Sequence, residues 1–247
     1  MTEPLLDGRG VTKRYGGLVA VNNVDFQVFP KEIVGLIGPN GSGKTTLFDC
    51  LSRVQSIDEG QVMFKGTDIT RKKPHQVAHL GMARTFQVIR VYRKLTILEN
   101  MKVSRQWRGE QPWNQLRPSH RDIETRAHEL IEFLKLEHLT HENAGTLSGG
   151  QRRLLELGMA LMPDPELVLL DEAASGVNPT LVNEIKDRIR ELNRDHGKTF
   201  LVVEHDMRFI SDLCNRVYVL NYGQKLAEGT PTEVMEDEAV IEAYFGT

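Results

Sequence analysis

Cysteine is almost missing from this chain. Its 247 residues include two, Cys50 and Cys214, far apart and outside any C-x-x-C pair. That excludes a disulfide framework and a thiolate metal site, and it fits free or buried thiols in a reducing compartment. Long hydrophobic runs are also missing. None approaches the roughly 18 apolar residues that cross a bilayer, and no N-terminal stretch has a signal-peptide pattern. The chain is therefore expected not to span a membrane. Nor is there a basic surplus: 31 Lys and Arg face 34 Asp and Glu, for a net charge of −3. No broad attraction to nucleic acid or anionic lipid follows from that balance. Internal repeats and low-complexity tracts are absent, and the length leaves room for a core domain with one subdomain.

What stands out is glycine, concentrated in two places. Gly38-Pro39-Asn40-Gly41-Ser42-Gly43-Lys44-Thr45 fits G-x-x-x-x-G-K-[ST], the Walker A pattern. The apolar run Ile33 to Ile37 precedes it, and Thr46 to Leu51, which can be helical, follows. Strand, glycine loop and helix form the setting that a phosphate loop requires. Glycines omit Cβ atoms, so backbone N–H groups can close around phosphate oxygens, and the helix N-terminus adds a favourable dipole. Lys44 is expected to reach the β- and γ-phosphates and the Thr45 hydroxyl to ligate Mg²⁺, with Thr46 completing the nucleotide-binding set.

The second segment is Leu147-Ser148-Gly149-Gly150-Gln151. Ser148 suits an N-cap and Gln151 a capping box, opening a helix that Pro163 stops. Two glycines in the first turn cost about 1 kcal/mol each in helix propensity. The reading from sequence is that close approach of a phosphate, and not packing, justifies them. A buried-strand run follows, Leu167-Val168-Leu169-Leu170, ending in Asp171 and Glu172. Asp171 is expected to hold Mg²⁺ through water and Glu172 to polarise the attacking water as a general base. Only one nucleotide core fits the chain, so the second segment is expected to serve a nucleotide held by another subunit.

In this order and spacing the segments resemble the ATP-binding cassette ATPases of ABC transporters, over nearly the whole chain. The resemblance implies roles for further residues. Tyr15 matches the aromatic that stacks on adenine, Gln87 the glutamine that senses Mg²⁺ and the water, and His205 the switch histidine that contacts the γ-phosphate. Ser175 to Asn178 matches the loop that crosses the dimer interface. Asn178 stands where many members carry Asp, and Ala173 where Pro is frequent. Ala83 to Arg90, Val203 to Met207 and the ending Ala243 to Gly246 resemble the ATPases of branched-chain amino acid and related amide importers. Lipopolysaccharide-transport ATPases are similar there too. A lipid or lipopolysaccharide exporter ATPase, or a non-transport regulatory ABC ATPase, are the alternative readings.

The implied fold is α/β: a P-loop NTPase core with an antiparallel β subdomain and a helical signature subdomain. Residues 1–87 and 163–247 would form the core and about 88–162 the helical part. The implied cofactors are ATP and Mg²⁺. The implied partners are a second ABC ATPase subunit, of the same or a related chain, two transmembrane permeases and a substrate-binding protein, with no nucleic acid. The implied location is peripheral, on the cytoplasmic face of the cell membrane. Other subunits would choose the cargo.

Along the chain, residues 4 to about 30 alternate apolar and polar, with turn signals at Gly16-Gly17 and Asn22-Asn23, and predict an antiparallel sheet that Gln61 to Phe64 continues. Helices are expected at 96–103, 122–138 and 179–195, the last closed by Gly197, with strands at 199–203 and 217–220. Trp107 to His120 reads as a loop. Thr230-Pro231-Thr232-Glu233 is a capping box opening a last helix.

Overall fold

The computed structural model describes residues 3–85, 90–105 and 120–246. Gln87 and nearly all of the loop expected at 107–120 lie outside them. In chain order, the strands and helices of the first half are β1 (Leu6–Tyr15), β2 (Leu18–Val28), β3 (Ile33–Ile37), α1 (Lys44–Leu51), β4 (Glu59–Phe64), β5 (Thr67–Asp68), α2 (Pro74–His79), β6 (Met82–Arg84), α3 (Ile97–Val103) and α4 (His120–Phe133). Those of the second half are α5 (Gly149–Leu161), β7 (Leu167–Asp171), α6 (Pro179–Arg194), β8 (Thr199–Val203), α7 (Met207–Leu213), β9 (Arg216–Asn221), β10 (Gln224–Gly229), α8 (Pro231–Glu236) and α9 (Glu238–Phe245).

Two sheets result. One runs β10-β9-β3-β8-β7-β6, with every described pairing parallel except β10 on β9. The other, β2-β1-β4-β5, is antiparallel. The central strands β3, β7 and β8 are buried at every position. Their unbroken apolar runs are what a parallel strand covered on both faces requires. Alternate residues feed two cores. Ile37, Leu170 and Val202 join α3 to α7 on one side. Leu36, Leu169 and Leu201 join α1 and the antiparallel sheet on the other. The phosphate loop, Asp171 and residues 204–205 thereby all fall at the carboxyl ends of adjacent strands, the usual place for a ligand in such a sheet.

The expected capping boxes at Ser148 and Thr230 are formed, and Asn178 caps α6 with Pro179 in its first turn. Two expectations change. Asn22-Asn23 is not a turn: β2 continues through it as an irregularity in the pairing with β1, Asn23 taking a φ of 51° while its N–H donates to Thr12 Oγ1 at 2.9 Å. The amphipathic helix expected to reach 138 ends at Phe133. Ala127, Leu130, Ile131 and Leu134 are buried as the period predicts, but Lys135 turns left-handed at φ 58° and a single 3₁₀ turn follows at Glu137–Leu139.

Candidate nucleotide site

The phosphate loop is shaped by steric exclusion. A Cβ on Gly38 would lie 2.2 Å from the Leu220 carbonyl oxygen, and one on Gly43 2.4 Å from that of Ala20, at φ values of 149° and 99°. Only glycine fits either position. Gly41, by contrast, faces open space. The β9–β10 turn braces the loop from outside through Gly223 N–H to Ser42 O at 2.9 Å. Lys44 folds back along the loop and donates to Gly38 O at 2.8 Å and Pro39 O at 2.9 Å. Burial pushes its ammonium pKa down, and the nearby Glu172 carboxylate partly offsets this. Among the described residues Ser42 Oγ is buried with no hydrogen-bond partner, which is costly unless a ligand supplies one. Thr45 is exposed and Thr46 half-buried at the start of α1. Tyr15 ends β1 and is 48% exposed. Lys13 Nζ sits 5.5 Å from its ring centre.

Asp171 closes β7 and is buried. Burial pushes its pKa up, while the adjacent guanidinium of Arg84 pulls it down. Arg84, at the end of β6, lies 3.2 Å from Asp171 and 2.6 Å from Asp49 of α1. It also donates to Ser52 Oγ at 2.8 Å and stacks 4.5 Å over the Phe48 ring. One cation thus ties the helix after the phosphate loop to the acidic strand end, a link that local motif reading misses.

Glu172 takes a φ of 46°, a conformation that costs a non-glycine residue about 1–2 kcal/mol. Its N–H donates to Val203 O at 2.9 Å. His205 follows β8, with its side chain largely exposed, and its Nδ1 lies 3.9 Å from Glu204 Oε2. Glu204 itself is buried, and its Oε1 accepts the Ala174 N–H at 2.8 Å. Burial pushes its pKa up. Glu204 thus joins the His205 segment to the turn after Glu172.

The signature segment stands apart. Among the described residues no hydrogen bond or ion pair joins residues 148–151 to residues 38–46. Ser148 is exposed and caps α5, accepting from Gln151 N at 3.3 Å. The two glycines differ, which corrects the expectation that packing does not need them. Gly150 is buried, and a Cβ there would lie 1.5 Å from Leu181 Cδ2 and 2.8 Å from its Cγ. Gly149 would meet nothing closer than Gly176 O at 3.9 Å. Of the two, Gly149 alone has no packing reason among the described residues. Replacing Gly150 by Ala should therefore destabilise the protein by about 1–3 kcal/mol through overpacking. Replacing Gly149 should stabilise it by up to about 1 kcal/mol through helix propensity while suppressing ATP turnover. Thermal melts and phosphate release measured side by side separate the two outcomes.

With this geometry in view, the relatives are specific. Residues 21–175 match the model of the ABC transporter family, and residues 224–247 match that of the branched-chain amino acid ATP-binding cassette transporter. The chain is 36% identical over 253 residues to the high-affinity branched-chain amino acid transport ATP-binding protein LivG of Escherichia coli (strain K12), covering 100% of this chain and 99% of the relative. The crystal structure of the ADP conformation of MJ1267, an ATP-binding cassette of an ABC transporter, superposes with a TM-score of 0.89 at 36% identity, covering all of both chains. The dimeric structure of MJ0796, a bacterial ABC transporter cassette, superposes with a TM-score of 0.79 at 25% identity, over 92% of this chain and 98% of that one. The chain belongs to the ABC transporter family, as one of its ATP-hydrolysing cassettes.

Proposed function

We propose that two such cassettes enclose ATP between them and that hydrolysis there drives import of branched-chain or other hydrophobic amino acids, or related amides. The observation that carries this reading is the separation of the two glycine-rich segments. Gly41 and the Ser148–Gly149 edge are both accessible, and neither is completed by the other within one chain. A second cassette, of this or a related sequence, supplies the missing half. MJ0796 is described as dimeric, which supports pairing, and a two-fold pair places each signature opposite the partner's phosphate loop. Closure adds N–H donors that only ATP can use fully, so ATP favours the closed pair by differential affinity.

Within each site, Gly38, Pro39, Asn40, Gly41, Ser42 and Gly43 cradle phosphate oxygens and Lys44 neutralises them. Tyr15 offers one ring face to adenine, with Lys13 beside the ring. Ser148, Gly149, Gly150 and Gln151 cap the partner's nucleotide. Thr45 and Asp171 fit Mg²⁺, a hard cation that binds through one or two protein oxygens together with phosphates and water. No group of three or more acidic, His or Cys side chains is placed to hold a metal ion by itself among the described residues, and such an ion does not need one. When bound, it supplies charge neutralisation at the phosphates. Gln87 is assigned beside it from the family likeness. Glu172 accepts the proton of the attacking water, and His205 contacts the terminal phosphate.

Two permeases carry the pathway, and among the described residues no helix is long and apolar enough to cross a membrane. A groove of about 520 Å³, lined by Val54, Tyr92, Val103 and Met159 among others, is the dock for a permease segment. It lies between the proposed core (1–87 and 163–247) and helical (88–162) units and faces the membrane from the cytoplasm. A substrate-binding protein delivers cargo from the other side. The test is the transporter assembled in vesicles with its own permeases. Loaded amino-acid-binding protein should stimulate ATP turnover and drive uptake of a branched-chain amino acid. Stimulation by lipid or lipopolysaccharide instead, or failure to bind permeases, would reject the reading.

A further inference from the structure

Arg153 sits on the inner face of α5, just past the signature, and is 4% exposed. A guanidinium that deep must be paired, and among the partners of its fork in the described residues are two different acceptors. Nη1 donates to Glu156 Oε2 at 2.8 Å, and Nη2 donates to the main-chain oxygen of Glu172 at 2.8 Å. Glu172 is thus held from both sides, its N–H by Val203 and its carbonyl by Arg153, in a left-handed conformation that a glutamate rarely adopts. Packing beneath this turn is incomplete. A void of about 10 Å³ lies among Thr85, Arg153, Leu170 and Ala173, close to the room one water needs. The Glu172 carbonyl also accepts the Ser175 N–H at 3.1 Å, so Arg153 is the side-chain donor beside a local turn bond in fixing where it lies. The same fork leads outward. Glu156 is buried, its Oε1 accepts the Arg90 N–H at 3.4 Å, and Glu156 and Arg90 both line the groove.

We propose that Arg153 is a positioning residue for Glu172, and that Glu156 ties its grip to the permease segment that fills the groove. This rests on the reading of Glu172 as the base and of the groove as the permease dock. A planar fork suits such a grip because it holds two acceptors in fixed relation, so a shift of Glu156 is passed to the Glu172 carbonyl. A groove-filling segment that moves Arg90 or Glu156 then alters the placement of the carboxylate at which water is activated.

The experiment uses the assembled transporter. Arg153→Lys keeps the charge but loses the fork. It should lower kcat about tenfold or more, as misplacement of a reacting group does, with KM for ATP within about twofold because binding groups are untouched. Glu156→Gln keeps an acceptor oxygen for Nη1. Basal turnover should stay within about threefold, while stimulation by permeases with loaded binding protein falls at least about threefold. The exchanged pair, Arg153→Glu with Glu156→Arg, restores the ion pair without the donor to Glu172. It should recover the thermal midpoint but not kcat. Arg153→Lys turning over within about twofold of the parent, or an exchanged pair that recovers turnover together with stability, would overturn the proposal. If Arg153→Lys does not fold, the exchanged pair and Glu156→Gln decide the matter. If Glu172→Gln leaves turnover intact, the reading of the base fails, independently of Arg153.

Discussion

Replacing Glu172 with Gln lowers ATP turnover by about 10²- to 10⁴-fold, the range set by removal of a general base, and leaves ATP binding in place. Gln keeps the size and the main chain of the residue, including the Val203 and Arg153 hydrogen bonds, but cannot take a proton. Because the phosphate loop is not altered, nucleotide still enters. Because hydrolysis no longer removes the γ-phosphate, the closed pair persists. The variant should run as an ATP-dependent dimer on a sizing column and revert when ATP is withdrawn. A monomer at saturating ATP, with the natural partner subunit present, would contradict the shared-site reading. Turnover within about tenfold of the parent would move the base elsewhere.

Why Glu172 can be picked out from sequence, and Arg153 cannot, comes down to range. The phosphate loop, the Ser148 cap and the Leu167–Asp171 strand are local patterns, in which residue types at fixed offsets dictate the backbone. All three form as expected. The grip on Glu172 depends on a side chain 19 positions earlier, and that of Arg84 on Asp171 spans 87 positions. No periodicity encodes such pairs. Gly150 shows the same limit in reverse: its neighbour is Leu181 on another helix, so sequence alone hides the steric cause and points to a ligand instead. Asn22-Asn23 carries the chemistry of a turn, yet the cross-strand hydroxyl of Thr12 satisfies Asn23 and lets β2 run on. The end of α4 is overestimated from sequence because buried apolar residues continue past Phe133, with Leu134 before and Leu136 after the left-handed Lys135.

Lys44→Ala has the second large effect, and it separates binding from folding. In the nucleotide-free protein the ammonium makes hydrogen bonds to two loop carbonyls while burial disfavours its charge. Losing two such bonds costs about 1 kcal/mol each, and relief from desolvating a cation offsets part of this. The variant should therefore unfold within about 2 kcal/mol of the parent when no nucleotide is present. Toward a polyphosphate the account is one-sided. Each charge-assisted bond is worth about 1.5–3 kcal/mol, and alanine supplies none. Affinity for ATP should fall by about 10²-fold. The consequence is measurable without turnover: nucleotide raises the stability of the parent by RT ln(1 + [L]/Kd), which is about 2.7 kcal/mol at a hundredfold excess over Kd. At the same ATP concentration Lys44→Ala should keep only about 0.4 kcal/mol of that gain. A parent-like melting shift with ATP would show that the phosphates are held elsewhere in the loop. A large loss of stability without ATP would show instead that Lys44 is first a brace for the Gly38 and Pro39 carbonyls and only second a ligand for phosphate.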